Sequence, residues 1–317
     1  MARDAIQSEG AIGVDIGGHG LKAVRVTASG LIVDRGRIAL DGVDDRRATR
    51  VEASVHELVE TLDPGGQLPV GVGVPGFHDQ TTGLLRQSPN FPGWEDRAVA
   101  EHLRDLLGRR VATENDGNCA LLGEAWTGAA RGVRNVVMLT LGTGVGSGFL
   151  VGGTLLTGAR GAGAEGGHIA IHRDGRLCGC GRRGCLETYA SGPGLQLTGA
   201  EEHRAAPEGR APERPEDIFE ASDRGEKWAV AAVARFSSDL ADGLVPLVHL
   251  FAPAAIVLGG GVGGAFDRFA PELERLLRQR AIPACLAGAL PLRHALLGGD
   301  SGAVGAARLV LTGDKHQ

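Results

Sequence analysis

No run in this chain approaches the roughly 18 apolar residues that a membrane helix needs, and no apolar signal segment opens it. A large excess of charge of one sign is missing too. A formal net charge of −5, with 22% of residues charged, advertises neither a nucleic-acid nor a membrane surface. Cysteine is scarce and odd in number, five in 317 residues, which argues against an oxidised, disulfide-built framework. The G-x-x-x-x-G-K-[ST] spacing of a P-loop is absent. These absences leave a cytoplasmic α/β enzyme as the expectation, with a length that suits two domains better than one core.

Glycine, by contrast, is in excess: 52 residues, against a usual ~7% of a chain. It follows no collagen period and gathers in a few loops between apolar strands. Loops of that kind let a backbone approach a ligand closely.

The most informative stretch is residues 165–187, EGGHIAIHRDGRLCGCGRRGCLE. It offers His168, Cys178, Cys180 and Cys185, one imidazole and three thiols. That set suits tetrahedral Zn²⁺ in a closed structural site. Cys178 and Cys180 flank a single glycine, too close for an unstrained mutual disulfide. Glu165 and Glu187 bracket a site that is already full, so their expected use is to bind something polar beside a rigid loop, which points to a sugar. Cys119 and Cys285 stand alone and read as small buried apolar residues.

Along the chain, residues 1–10 are polar, and 11–15 (AIGVD) form a strand ending on an acid. Residues 21–27 and 31–40 read as further strands, and 46–62 as an amphipathic helix with Val51, Val55, Leu58, Val59 and Leu62 on one face. A buried strand at 69–74, a helix at 95–107 and a short strand at 111–114 lead to Asn115 and Asp116, with a helix at 119–126. A second unit opens in the same way. Strand 135–141 runs into the loop 142–146, and a hairpin joins 149–151 to 154–156. Residues 198–215 read as a polar loop, 226–251 as a long helix, 255–258 as a strand and 302–311 as a short apolar helix. Two units, each with a glycine loop after its first strand, predict an internally duplicated α/β fold.

Three glycine loops are candidate nucleotide contacts. Asp15, Gly17, Gly18, His19 and Lys22 make the first. Its amides can converge on a phosphate, although a tight hairpin is as good a reading of that loop alone. A strand follows it where a dinucleotide fingerprint would open a helix. Gly142, Thr143 and Gly144 make the second, with a hydroxyl donor. Gly259, Gly260 and Gly261, after a buried strand, make the third. Three in one chain favour nucleotide binding over unrelated turns. Asn115 and Asp116 read equally as a helix cap and as a catalytic pair in which the carboxylate accepts a proton from a substrate hydroxyl. Asn90, in a Ser-Pro-Asn turn, reads as a turn residue or as a donor to a sugar hydroxyl.

DIGGHGLK (15–22), ENDGNCALLGE (114–124), LGTGVGSG (141–148), GAEGGH (163–168), CGCGRRGCLE (178–187) and VLGGG (257–261) resemble, in order and over nearly the whole chain, the ROK family of sugar kinases and sugar-responsive repressors. The resemblance implies an actin-like ATPase (ribonuclease H-like) duplicated fold, two α/β domains around a cleft that closes to exclude water. It implies a small domain at 1–117, joined by the C-terminal helix 302–317, and a large domain at 118–301. It implies a glucokinase or N-acetylhexosamine kinase that phosphorylates the 6-hydroxyl with Mg-ATP, contains structural Zn²⁺ and forms a homodimer or homotetramer.

Residue by residue, Asp116 matches the family's general base and Asn115 and Asn90 its sugar-contacting asparagines. Glu165, His168 and Glu187 match groups on the sugar hydroxyls, and Asp15 the acid near Mg²⁺. Gly17, Gly18, Gly142, Thr143 and Gly144 match the phosphate loops, and Gly259, Gly260 and Gly261 the adenosine loop. His19 departs from the pattern, which has Thr or Ser there, and the Gly20-Leu21-Lys22 continuation is similar to that of polyphosphate-using glucokinases. A repressor of the family would carry a helix-turn-helix ahead of the first strand, and ten residues are too few for one. The 2-substituent pocket, which separates glucose from N-acetylglucosamine, N-acetylmannosamine, fructose or a cyclitol, leaves no mark on these motifs.

Overall fold

A computed structural model describes residues 10–313 apart from 41, 43, 89, 90, 92 and 287–291. Contacts divide the chain into two units. The first comprises Met1–Gly132, Thr154–Ala164 and Gly299–Gln317; the second comprises Val133–Gly153 and Glu165–Gly298.

The first unit is built on a five-stranded sheet. Its strands are β1 (Gly10–Gly17), β2 (Gly20–Thr27), β3 (Ile32–Ala39), β4 (Val70–Val74) and, after the separate hairpin of β5 (Phe77–Asp79) and β6 (Leu84–Gln87), β7 (Val111–Asn115). The order is β3-β2-β1-β4-β7. β1 and β2 pair antiparallel, with Asp15 opposite Lys22, whereas β1 and β4 run parallel, with Asp15 beside Gly73. Helix α1 (Ala48–Leu62) lays Val51, Val55, Leu58, Val59 and Leu62 against Ile12, Val14, Ile16 and Leu21 on one face. Helix α2 (Val99–Leu107) stops at Gly108, whose left-handed φ of 63° suits glycine. Helix α3 (Asp116–Thr127) continues directly from β7, and Asn115 caps it by accepting from the amide of Asn118.

The second unit repeats the plan. Strands β8 (Val136–Leu141), β9 (Val145–Val151), β10 (Thr154–Leu155), β11 (Ala255–Gly259) and β12 (Leu292–His294) form the second five-stranded sheet, in the order β10-β9-β8-β11-β12. β8–β9 is antiparallel, and β8–β11 and β11–β12 are parallel. The same order twice, with the same senses at three corresponding pairs, is the duplicated arrangement expected from the two glycine loops. Its helices are α4 (Glu187–Ala190), α5 (Gly192–Ala205), α6 (Pro215–Asp223), α7 (Lys227–Phe251), α8 (Gly260–Gly263) and α9 (Phe266–Arg280). Phe219, Phe236 and Phe269 from three of these helices meet at ring distances of 5.3–6.4 Å. The last helix, α10 (Ser301–Thr312), belongs to the first unit and lies on β1, β4 and α3.

Two expectations need adjusting. Residues 198–205 are helical, because Ser191 caps α5 and Pro193 sits in its first turn, while Leu195, Thr198 and Gly199 are buried along it. The first unit extends to Gly132 rather than ending at 117, because α3 packs against α10 within it. Among the described residues no helix is long and apolar enough to cross a membrane.

Candidate active site and metal centre

In the first unit the end of β1, the end of β7 and the start of α10 bring two acids together. Asp15 comes off β1 with a pKa pushed up to about 7, mainly by burial and further by the charge of Asp116, against the opposing pull of Lys22. A side chain at Gly302 would come within 2.6 Å of the Asp15 carboxyl carbon, so glycine there leaves room for the acid. Lys22 donates to the carbonyl of Gly299 at 3.1 Å. Asp116 opens α3, and burial raises its pKa although the amide of Gly117, 2.9 Å away, works to lower it. A carboxylate with a raised pKa at a helix start is a stronger base than a solvated one.

Asn115 is committed within the protein. Its carbonyl oxygen caps α3 and its amide donates to the carbonyl of Gly76 at 3.2 Å. Beneath it, buried Glu114 accepts from the backbone of Asn115 and from the side chain of Asn118, at 2.8 and 3.1 Å. His19 is exposed at the tip between β1 and β2. Asn90 lies outside the described residues.

In the second unit the fingerprint segment folds back on itself. The ligand atoms of His168, Cys178, Cys180 and Cys185 all lie within 4.8 Å of one another. Cys178 Sγ is 3.6 Å from His168 Nδ1, and Cys180 Sγ is 3.6 Å from Cys185 Sγ. Tetrahedral zinc, with bonds near 2.3 Å to sulfur and 2.0 Å to nitrogen, sets neighbouring ligands about 3.5–3.8 Å apart. The four residues therefore fit that ion. Burial pushes the Cys178 thiol up to about 12, and a bound cation would favour its thiolate. With Nδ1 turned to the sulfurs, His168 keeps Nε2 for another partner.

A polar frame holds this segment from outside. His172 Nε2 meets buried Asp239 of α7 at 2.8 Å, and the His172 ring stands edge-on to Tyr189 at 4.6 Å. Arg176 lies over the Tyr189 ring and bonds the carbonyls of Thr188 and Gly194.

The two glycine loops of this unit meet beside that segment. Gly260 has φ 84° and rests on the backbone of Leu141, an approach no side chain allows. The Gly142 amide donates to the Gly144 carbonyl, closing the turn, and Gly192 donates to the Gly142 carbonyl at 2.7 Å. Next to Gly261 lies a pocket of about 400 Å³, lined among others by Pro215, Phe219, Val262, Asp267 and Arg268. The sequence did not expose these residues, because Pro215 and Phe219 lie more than 40 residues from the glycines and are brought over only by the packing of α6. Ser147, whose hydroxyl accepts from the amide of Gly166 at 2.8 Å, was equally silent.

Known proteins resemble this chain over most of its length. A glucokinase from Thermotoga maritima is 34% identical over 309 residues, covering 94% of this chain and 96% of that enzyme. An N-acetyl-D-glucosamine kinase from Yersinia enterocolitica is 32% identical over 272 residues, covering 82% and 86%. Among solved structures, a ROK family glucokinase from Streptomyces griseus in complex with glucose and AMPPNP matches with a TM-score of 0.82 at 32% identity, covering 96% of this chain and 99% of that one. The fold is therefore the actin-like α/β fold that the duplicated sheets imply. The ROK family model matches residues 11–313, and the chain belongs to the ROK family.

Proposed function

We propose that the protein is an ATP-dependent hexose kinase of the glucokinase kind, transferring the γ-phosphoryl group to a sugar 6-hydroxyl. The observation that carries the reading is Asp116, a buried carboxylate of raised pKa beside a second acid, Asp15. An alcohol attacks phosphorus only as its proton leaves, and Asp116 is the base for that proton. Asp15 holds the place of the acid near Mg²⁺, an ion that would offset charge on the transferred group. The amides of Thr143 and Gly144, with the Thr143 hydroxyl, receive phosphate oxygens from a turn that the Gly142 amide closes, and the pocket beside Gly261 takes the nucleoside. Gly17 and Gly18 supply further amides. Glu165, His168 Nε2 and Glu187 hold ring hydroxyls, and Asn115 keeps Asp116 in place from the cap of α3. Zinc, held by His168, Cys178, Cys180 and Cys185, would fix the loop that presents these groups.

Glucose is the proposed substrate, supported by the glucokinases that cover nearly the whole chain, and ATP is the proposed donor. The test is a panel of hexoses with ATP, read as ADP release, on wild type and Asp116→Asn. The variant should lose 10²–10⁴-fold in kcat, as removal of a general base does, while sugar affinity stays nearly unchanged. Near-wild-type turnover in Asp116→Asn would reduce that residue to a helix cap.

A further inference from the structure

Glu187 does more in this structure than face a substrate. Its Oε2 accepts the backbone amide of Val145 at 3.1 Å, at the end of the 142–144 turn. Its Oε1 lies 3.6 Å from Cys178 Sγ. A side chain added at Gly144 would press on the same carboxylate, so the loop rests directly on it. Two residues before Glu187 is Cys185, and five residues after it is Gly192, whose amide bonds the Gly142 carbonyl. One short segment therefore carries a cysteine of the metal set and grips the glycine loop at both of its ends. From the other side, Ser147 Oγ holds the amide of Gly166, and Gly167 lies against the Val145 carbonyl.

We infer that Glu187 is a positioning residue for the phosphoryl donor, a strut that transmits the order of the Cys₃His loop to the 142–146 phosphate loop. This rests on the kinase reading above and adds to it a role for the cysteine loop on the donor side. The hydrogen bond accepted from Val145 fixes the direction of the loop amides, which receive phosphate only if they converge. A carboxylate has lone pairs enough to keep Val145 on Oε2 and take a sugar hydroxyl on Oε1. Cys178 Sγ–H donates to Oε1 at 3.6 Å, which ties the same carboxylate to the cysteine loop.

The test is made without sugar, so that sugar binding by Glu187 plays no part. Affinity for AMPPNP with Mg²⁺ is measured by calorimetry on wild type, Glu187→Gln and Glu187→Ala. Hydrogen exchange at the Val145 amide is followed in the same proteins. Glu187→Ala should bind the analogue roughly tenfold more weakly and expose the Val145 amide. Glu187→Gln should bind nearly as wild type, because its amide oxygen still accepts from Val145. Chelation of the metal should weaken analogue binding in wild type in the same direction, and this arm carries the test if Glu187→Ala does not fold. Unchanged affinity and protection in Glu187→Ala, or unchanged affinity after chelation, overturns the strut. Equal losses in Gln and Ala also overturn it, since charge alone would then be at work. If wild type binds no nucleotide, the donor assignment fails and the Val145 amide alone decides the strut.

Discussion

The two units carry the same strand order but reach their packing by opposite means. In the first, the two central strands are thinned: β1 has Gly13 and β4 reads VGVGV, with Gly71 and Gly73. Side chains at Gly13 and Gly71 would overlap the carbonyls of Ala303 and Ala306, and one at Gly305 would overlap that of Cys119. The backbone of α10 therefore lies almost on the sheet and on α3. In the second, the matching strands read VVMLTL and AIVLG, and their Val, Met, Leu and Ile side chains are fully buried. Its 165–187 loop is framed instead by His172, Asp239, Arg176 and Tyr189 and carries a Cys₃His set that could hold a metal ion. Backbone close-packing tolerates no added atom, whereas a cross-linked loop tolerates added volume but not a lost ligand. The first unit should break on the addition of a methyl group, and the second on the removal of an ion.

Gly305→Ala tests the first half and has the largest expected effect on stability. On an open helix the change would stabilise by about 1 kcal/mol. Here the new methyl meets the Cys119 carbonyl, and a backbone overlap of that kind costs about 3 kcal/mol or more. Thermal or urea unfolding should therefore show a marked loss, and a more stable variant would mean that α10 stands further off than it does here.

For the second half, Cys180→Ser or a strong chelator should remove about one zinc per chain, by elemental analysis, and weaken sugar binding at least tenfold. Cys180 is exposed and is not one of the sugar-binding groups, so its effect must pass through the loop. Hydrogen exchange should rise across 165–189 and stay unchanged in 301–312. Metal-free protein of full sugar affinity would end the zinc assignment, and equal loosening of both segments would end the contrast between the units.

The smallest effect is a pH slope. Asp15 has its folded pKa raised from 3.8 to about 7, so it binds more protons folded than unfolded. Its contribution to stability is full below about pH 4 and is lost as pH rises through about 7. His78 works the other way: burial lowers it from 6.5 to about 4, so its contribution is present above 6.5 and lost as pH falls through 4. The difference in melting temperature between wild type and Asp15→Asn, without ligands, isolates the first group. Wild type should lose ground to the variant between about pH 4 and 7, and a constant difference would mean that Asp15 is ordinarily solvated.

Residue types decided much of this in advance. Three cysteines and a histidine within 18 residues can meet by local folding alone, and the alternation and spacing of apolar residues mark strands and helices wherever one face is buried. Asp15 stands out because the apolar run 11–14 leads to it, and Asp116 because it opens a helix directly after a strand. Other features depend on contacts distant in sequence, which no local pattern records. The boundary at Gly132 follows from α3 packing on α10, and the pocket from α6 crossing to Gly261. The helical 198–205 stretch is polar on its open side and is fixed by the burial of the other. Glu187 read as a ligand of something polar, but only the folded chain sets the amide of Val145, 42 residues upstream, against it. A glycine in sequence says only that a side chain is absent, and the tertiary structure decides what occupies the space: a helix backbone at Gly13 and Gly71, a carboxylate at Gly144.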